Sequence, residues 1–251
     1  MVAAVKLLSY ALSDRGLARP NNEDAILERP DLRFWAVADG MGGHAAGEIA
    51  SGLAVHALER NTASMPRYAG AIRDWLKEAF SAANEAIRSH AESVAETRGM
   101  GTTLTALAVT ERGGVIAHVG DSRAYRLRNG DFVQMTGDHT WVQERVDAGL
   151  LSPERARDHP YSSVLTRVLG MDATVPPDLL EVDLAAGDVI LLCSDGLTGM
   201  VDDAELRSIL GRDAPLDAIA RDLVAAAKSN GGLDNISLIV LRVPADGSAM
   251  G

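Results

Sequence analysis

The chain has one cysteine in 251 residues, Cys193, so it forms no disulfide within itself. In "VILLCSD" that thiol reads as an inert core group. No apolar run approaches the ~18 residues of a membrane span. The start, "MVAAVKLLSYALSDRG", makes a poor secretory signal, because Lys6 interrupts its apolar part and no small-residue cleavage site follows. Positive charge is scarce too. Against 35 Asp and Glu stand only 24 Lys and Arg, and the net charge of −11 argues against nucleic acid or an anionic membrane as a major partner. The six histidines show no zinc-binding spacing, and no G-x-x-x-x-G-K-[ST] is present. Internal repeats, low-complexity tracts and linkers are also missing.

What remains is the profile of a globular protein, 47% hydrophobic and 24% charged. A chain of this length buries roughly 70–75% of its unfolded surface, enough for a self-sufficient core. One domain over residues 1–243 is expected, with a frayed tail at 244–251, and the cytoplasm is the expected compartment. Short apolar runs read as strands at 6–12, 25–28, 34–39, 102–109, 115–121, 124–128, 132–135, 189–195 and 236–243. Asn129-Gly130 between two of them signals a hairpin. Tight turns join most of these runs, so the pairing should be largely antiparallel. Helical periodicity marks 45–59, 72–94 and about 215–228, the last stopped by "NGG" at 230–232. Ser152 and Pro153 suit the N-cap and first position of a further helix.

The stretch "FWAVADGMGGHAAGE" (34–48) carries four glycines within eight residues, yet it opens with a carboxylate, Asp39. A bound phosphate would be repelled there unless a cation lay between them. Asp121 in "AHVGDSR", Asp195 in "LLCSDGL" and Asp234 in "GGLDNIS" share the setting of an apolar strand beside a turn. "RPNNEDA" adds Arg19, Glu23 and Asp24 ahead of another strand. Each alone reads as an ordinary turn, since Asp-Gly and Asp-Asn are turn dipeptides. Together, carboxylates at several strand ends could converge on one sheet edge. Unpaired they would repel strongly, and a hard divalent cation removes that cost. All-oxygen ligands favour Mg²⁺ or Mn²⁺ over Zn²⁺. Gly40, with no side chain, can turn its carbonyl towards a metal.

Read in order, "RPNNED", "VADGMGGHAAGEIAS", "GMGTTLTAL", "HVGDSRAYRLRNG", "DHTWV", "HPYSSVLTRVLG", "LCSDGL" and "GGLDNISLIV" resemble the successive motifs of the bacterial type 2C, metal-dependent Ser/Thr protein phosphatases. They span about residues 9 to 242. The resemblance implies an α+β fold, a four-layer α-β-β-α sandwich of two mainly antiparallel sheets flanked by helices, with two Mn²⁺ or Mg²⁺ ions at one end. It implies that Asp39 bridges the two metals, that the Gly40 carbonyl binds one, and that Asp195 and Asp234 complete the other shell, with Glu23 acting through a water. Arg19 matches the arginine that grips the substrate phosphate, and Asp121 with Asp195 matches a third, weaker metal site. Residues 138–169 would form a flap beside the active site. The implied activity is hydrolysis of phosphoserine and phosphothreonine, opposing bacterial Ser/Thr kinases and their substrates, with a monomer as the default state.

Two metals can lower the pKa of a bridging water and hold the phosphoryl group for in-line attack. No covalent intermediate is needed, in keeping with the missing Cys-x5-Arg motif: position 199 is Gly. The family pattern is not met everywhere. Met41 stands where many eukaryotic members place a histidine after Asp-Gly, which leaves His44 as a candidate proton donor. His44 reads equally as a polar helix-start residue, and a metal-bound water is an alternative donor. Gly199 stands where many relatives carry an aspartate near the third metal. Three other readings compete: a regulatory phosphoprotein-binding module of the same fold, a dinucleotide site, and an active phosphatase whose substrate is a small phosphate ester or phosphotyrosine. The first is expected to have lost a ligand residue, and Arg19, Glu23, Asp39, Asp195 and Asp234 are all present. The second rests on G-x-G-x-x-A from Gly40 to Ala45, but Glu59, about twenty residues on, falls in a helical segment rather than at a strand end.

Overall fold

The segment from Phe34 shows how alternation sorts the strands. Phe34, Ala36 and Ala38 pack with helical residues, while Trp35 and Val37 pack with residues of a second sheet. A strand whose two faces are both covered must be apolar at every position, which accounts for the unbroken run. The computed structural model describes residues 7–42, 46–66, 68–110, 113–157 and 159–245.

In chain order the first elements are β1 (Leu8–Asp14), β2 (Asp24–Arg29), β3 (Phe34–Met41), α1 (Ala46–Asn61) and α2 (Ala69–Ser93). Then come β4 (Gly101–Thr102), β5 (Leu104–Thr110), β6 (Gly113–Val119), β7 (Arg123–Arg128) and β8 (Asp131–Gln134). The short helices α3 (Trp141–Asp147) and α4 (Pro153–Arg157) precede β9 (Asp178–Val182) and β10 (Val189–Cys193). The remainder is α5 (Asp195–Thr198), α6 (Asp203–Leu210), α7 (Leu216–Ser229) and β11 (Ile236–Arg242).

One sheet has the order β1-β11-β10-β7-β8 and the other β2-β3-β5-β6-β9, with β4 paired to β3. The strand pairings within both are antiparallel. Three apolar layers result. Helices α1 and α2 cover the second sheet through Leu58, Leu76 and Phe80. Helices α6 and α7 cover the first through Leu206, Ile219 and Leu223. Between the sheets lie Trp35, Leu107, Ile116, Ile190, Leu192 and Ile239. The expected four-layer α-β-β-α sandwich is therefore present.

Asn129 (φ 50°) and Gly130 (φ 84°) form the expected hairpin between β7 and β8. Cys193 is buried, and burial pushes its thiol up to about 12. Several boundaries differ from the sequence reading. The run 102–109 breaks at Thr103, whose backbone N–H turns aside to bond the Asp39 carbonyl (2.9 Å). Asp195 opens α5 instead of ending β10. Strand β9 was not expected: it follows Pro176-Pro177, lies at a sheet edge and carries two acidic residues among its apolar ones. Helices α3 and α6 were also unexpected, though both have side-chain caps, Thr140 to the Gln143 N–H and Asp202 to the Glu205 N–H.

Candidate active site

The C-terminal ends of β3, β6 and β10 and the N-terminal ends of β2 and β11 share one rim of the sandwich. The rim therefore gathers what the sequence scatters. Asp39 ends β3, Asp121 follows β6, Asp195 follows β10, and Asp234 precedes β11. Arg19 and Glu23 lie on the loop from β1 to β2. Asp24 opens β2 and stands directly opposite Asp39 in the register. Across the sheets, the Ser194 hydroxyl donates to Asp24 Oδ2 (2.8 Å) and ties the two layers at the rim.

Asp121 is buried, and Asp24, Asp39 and Asp195 are half-buried at the same rim. Burial, then the charges of Asp24, Asp195 and Asp121, holds the Asp39 carboxyl well above its ordinary range. Asp121 is pushed up to about 8 by burial, with Asp195 and Asp138 adding to it. Asp24 is pushed up to about 7, again by burial first, while bonds from Ser237 and Ser194 oppose the rise. Asp195 is raised by burial and by Asp234. Glu23 is raised by burial, with Arg19 opposing. Like charges at this depth are unfavourable unless protons or cations neutralise them. One oxygen, Asp24 Oδ1, is buried and has no hydrogen-bond partner among the described residues.

That chemistry fits divalent cations: hard oxygen donors, mutual repulsion and an orphaned acceptor. Among the described residues, however, no three His, Cys, Asp or Glu side chains already enclose an ion. Their other partners explain the open arrangement. Asp234 accepts from Arg19 Nη2 (2.7 Å) and from the Asn235 N–H (2.8 Å), and Asp24 is held by Ser194. Arg19, half exposed, has its guanidinium at the rim, paired with a candidate ligand.

Gly40 is needed for close approach. A Cβ there would lie 2.0 Å from the Gly47 carbonyl and 2.6 Å from that of Glu23. The start of α1 and the Glu23 backbone thus press directly on the turn that follows Asp39, and Ser51 Oγ donates to the Glu23 carbonyl (2.6 Å). At the other sheet, a Cβ on Gly196 would lie 1.9 Å from the Asn235 carbonyl, so α5 sits against the start of β11.

The expected flap, 138–169, contains α3 and α4 and is pinned at its base. The Gly120 N–H donates to His139 Nδ1 (2.9 Å), one residue from Asp121, and His139 Nε2 bonds Asp178 (3.1 Å). Arg123 holds Asp138 bidentately. On the flap, Trp141 stacks on His159 and meets Tyr161 edge-on, with the Arg145 guanidinium over its ring. His44 lies outside the described residues, so no position is assigned to it. Gly199 ends α5, and a side chain there would press on the Asp195 carbonyl at 3.0 Å.

Comparison with known proteins decides what this rim belongs to. The family profile described as Protein phosphatase 2C matches residues 19–231. The chain belongs to the protein phosphatase 2C family. Serine/threonine phosphatase stp of Listeria innocua is 41% identical over 237 residues, covering 92% of this chain and 93% of that one. The crystal structure of the Mycobacterium tuberculosis serine/threonine phosphatase PstP/Ppp superposes with a TM-score of 0.89 at 40% identity, covering 95% of this chain and 99% of that one. A second structure, the PstP catalytic domain in complex with two manganese ions, gives a TM-score of 0.85 at 40% identity, over 95% and 98% of the two chains.

Within this phosphatase 2C chain, sequence reasoning missed the residues that hold the carboxylates. Thr103 Oγ1 accepts the Asp39 N–H (2.9 Å) and bonds Ser122 Oγ (2.7 Å), linking the turns of Asp39 and Asp121. Thr102 Oγ1 donates to the Asp39 carbonyl (2.8 Å). Asn235 bonds the loop of Arg19 and Glu23. The signal for the threonines was their place in "GTTLTALAV", hydroxyls breaking an apolar strand at the depth of the Asp39 turn.

Proposed function

We propose that this protein is a metal-dependent phosphoprotein phosphatase that hydrolyses phosphoserine and phosphothreonine. The observation that carries this is the convergence of Asp24, Asp39, Asp121 and Asp195, buried or half-buried at one rim and all raised by burial and by neighbouring carboxylates, beside the Arg19 guanidinium. Asp39, the Gly40 carbonyl, Asp195 and Asp234 would hold two Mn²⁺ or Mg²⁺ ions, with Glu23 acting through a water. When bound, such a pair would supply a water of lowered pKa and neutralise phosphoryl charge. Asp121 with Asp195 would offer a third, weaker position.

The chain's own groups supply the rest. Arg19 presents a planar fork to two phosphoryl oxygens, which orients the phosphorus and offsets charge as it builds. Thr102 and Thr103 fix the Asp39 backbone from both its polar groups, so that carboxylate is held in place before substrate arrives. The buried Cys193 thiol, raised to about 12, is no nucleophile, and the reaction needs none from the protein. His44 is the candidate proton donor to the leaving alkoxide. The catalytic domain covers 1–243, with the flap at 138–169 beside the site. Its substrates are phosphorylated proteins, and bacterial Ser/Thr kinases are the enzymes it opposes. The relatives named serine/threonine phosphatases support this reading, as does the manganese complex of PstP. Among the described residues no helix is long and apolar enough to cross a membrane, which is compatible with action in the cytoplasm.

The test is phosphate release from a phosphothreonine peptide with Mn²⁺, with Mg²⁺ and with excess EDTA, for wild type and Asp39→Asn. Metal-dependent turnover, abolished by EDTA and reduced about 10³-fold or more by the substitution, is expected. A folded wild type inactive with every metal would overturn the reading.

A further inference from the structure

Asn235 is buried and uses every polar atom of its side chain. Its Oδ1 accepts the Glu23 N–H (2.8 Å), and its Nδ2 donates to the carbonyls of Arg15 and Asn21 (2.9 Å each). Its own N–H donates to Asp234 Oδ1 (2.8 Å). The side chain thus grips the loop between β1 and β2 on both sides of Arg19, while its main chain is bonded to the carboxylate with which Arg19 pairs. A neighbouring tie runs from the N–H groups of Leu17 and Ala18 to the Gly232 carbonyl (2.8 and 3.3 Å). Only a short amide offers one acceptor and two donors in this span: Asp lacks the donors, and Gln is a methylene longer.

We propose that Asn235 is the positioning residue that sets the phosphate-gripping Arg19 and the metal-side Glu23 against Asp234, an inference that rests on the phosphatase reading of the site. Among the described residues, the half-exposed Arg19 side chain has its salt bridge with Asp234. Its placement therefore depends on the backbone of the loop, which Asn235 grips on both sides of Arg19 and the Gly232 carbonyl holds at Leu17 and Ala18. Misplacing such a group by about an ångström is enough to cost roughly 10²-fold in rate.

The experiment uses the full chain and reads three quantities: the Mn²⁺ dissociation constant by calorimetry, KM and kcat for a phosphothreonine peptide at saturating Mn²⁺, and inhibition by inorganic phosphate. In Asn235→Ala, KM and the phosphate inhibition constant are expected to rise together by about 10-fold, with kcat falling less than about 3-fold. The Mn²⁺ dissociation constant is expected to rise about 10-fold through Glu23. Lys228→Met is the control. It removes the half-buried ion pair of Lys228 with Asp14 (3.0 Å), the last residue of β1, where the loop begins. It should lower Tm and leave all three quantities within about 2-fold, since the pair touches neither Arg19 nor Glu23. Should Asn235→Ala fail to fold, Asn235→Asp keeps the acceptor for Glu23, loses both donors and carries the same comparison. A folded Asn235 variant with all three quantities within 2-fold of wild type would overturn the proposal, and so would failure of both variants to fold, which would make the role one of stability alone. In either case a wild type that binds Mn²⁺ and turns over leaves the phosphatase reading standing.

Discussion

Asp39→Asn should stabilise the metal-free protein while destroying its activity. The Asp39 carboxyl is half-buried among Asp24, Asp195 and Asp121 and is held well above its ordinary range by desolvation and their charges. A carboxyl whose pKa is raised on folding binds more protons in the native state than in the unfolded chain. Its contribution is therefore intact below the unfolded value near 3.8 and is lost as pH rises through the folded one. Its neighbour Asp24, raised from 3.8 to about 7, carries a penalty of about 4 kcal/mol above pH 7 on the same grounds. Replacing Asp39 with a neutral isostere removes the Asp39 penalty alone. At pH 8 in EDTA the variant should melt above wild type, each kcal/mol gained being worth about 2–4 °C for a chain of this size. The gain should shrink towards zero as pH approaches 4. In saturating Mn²⁺ the order should invert, because ligand at 100 times its dissociation constant adds about 2.7 kcal/mol per site to the wild type. Thermal melts across pH 4–8, with and without Mn²⁺, read all of this. A variant less stable than wild type at pH 8 in EDTA would refute the claim that the rim is a repelling carboxylate cluster.

Arg19→Lys keeps the charge but loses the planar fork, so KM for a phosphopeptide should rise about 10-fold with a smaller change in kcat, measured by steady-state phosphate release. Thr103→Val leaves the Asp39 N–H without its acceptor and should cost about 1–3 kcal/mol by urea denaturation, with a loss of kcat from the loosened Asp39. Arg128→Ala strands Asp188, whose side chain is fully buried and held by two guanidinium bonds of 2.7 Å. It should cost about 3–5 kcal/mol, yet leave kcat/KM per folded molecule unchanged, because the pair lies at the opposite end of β10 from Asp195.

The architecture was legible because burial writes a period into the sequence. Helices α1, α2 and α7 carry apolar stripes, and the strands covered on both faces are apolar apart from positions near their ends. The carboxylates were legible because each stands at the end of such a run. Strand β9 was hidden because it borders one neighbour and has exposed acidic positions, so neither alternation nor a continuous run marks it. The clamps were hidden for a different reason. Asn235 and Thr103 act on backbone groups 212 and 64 residues away, and nothing in a linear spacing announces a hydrogen bond of that reach. Asp24 was visible beside Glu23, but its place opposite Asp39 depends on the register of β2 against β3.

Once faces are assigned to the strands, the position of the site follows from their side chains. On β3 the face towards the other sheet reads Trp35, Val37, Asp39, and on β10 with its extension Ile190, Leu192, Ser194. Read back along β11 it is Leu241, Ile239, Ser237, and along β5 Val109, Leu107, Thr105. β6 gives Ile116 and then His118, whose ring bonds Thr105 and the Gly137 carbonyl. In every case the inter-sheet face is apolar at one end and turns polar at the same rim. A sandwich closed by apolar residues at both ends would exclude ions, whereas one polar throughout would lose the layer that binds its sheets together. The gradient satisfies both needs: Trp35, Leu107 and Ile190 hold the sheets, while at the rim Ser194 Oγ accepts the Ser237 N–H and donates to Asp24, and Thr103 Oγ1 bonds Ser122 Oγ. Side-chain hydroxyls satisfy backbone groups at the rim, as Thr103 does for the Asp39 N–H and Ser194 for the Ser237 N–H, so the substitutions tolerated at this end should be those that keep a hydroxyl rather than those that keep volume.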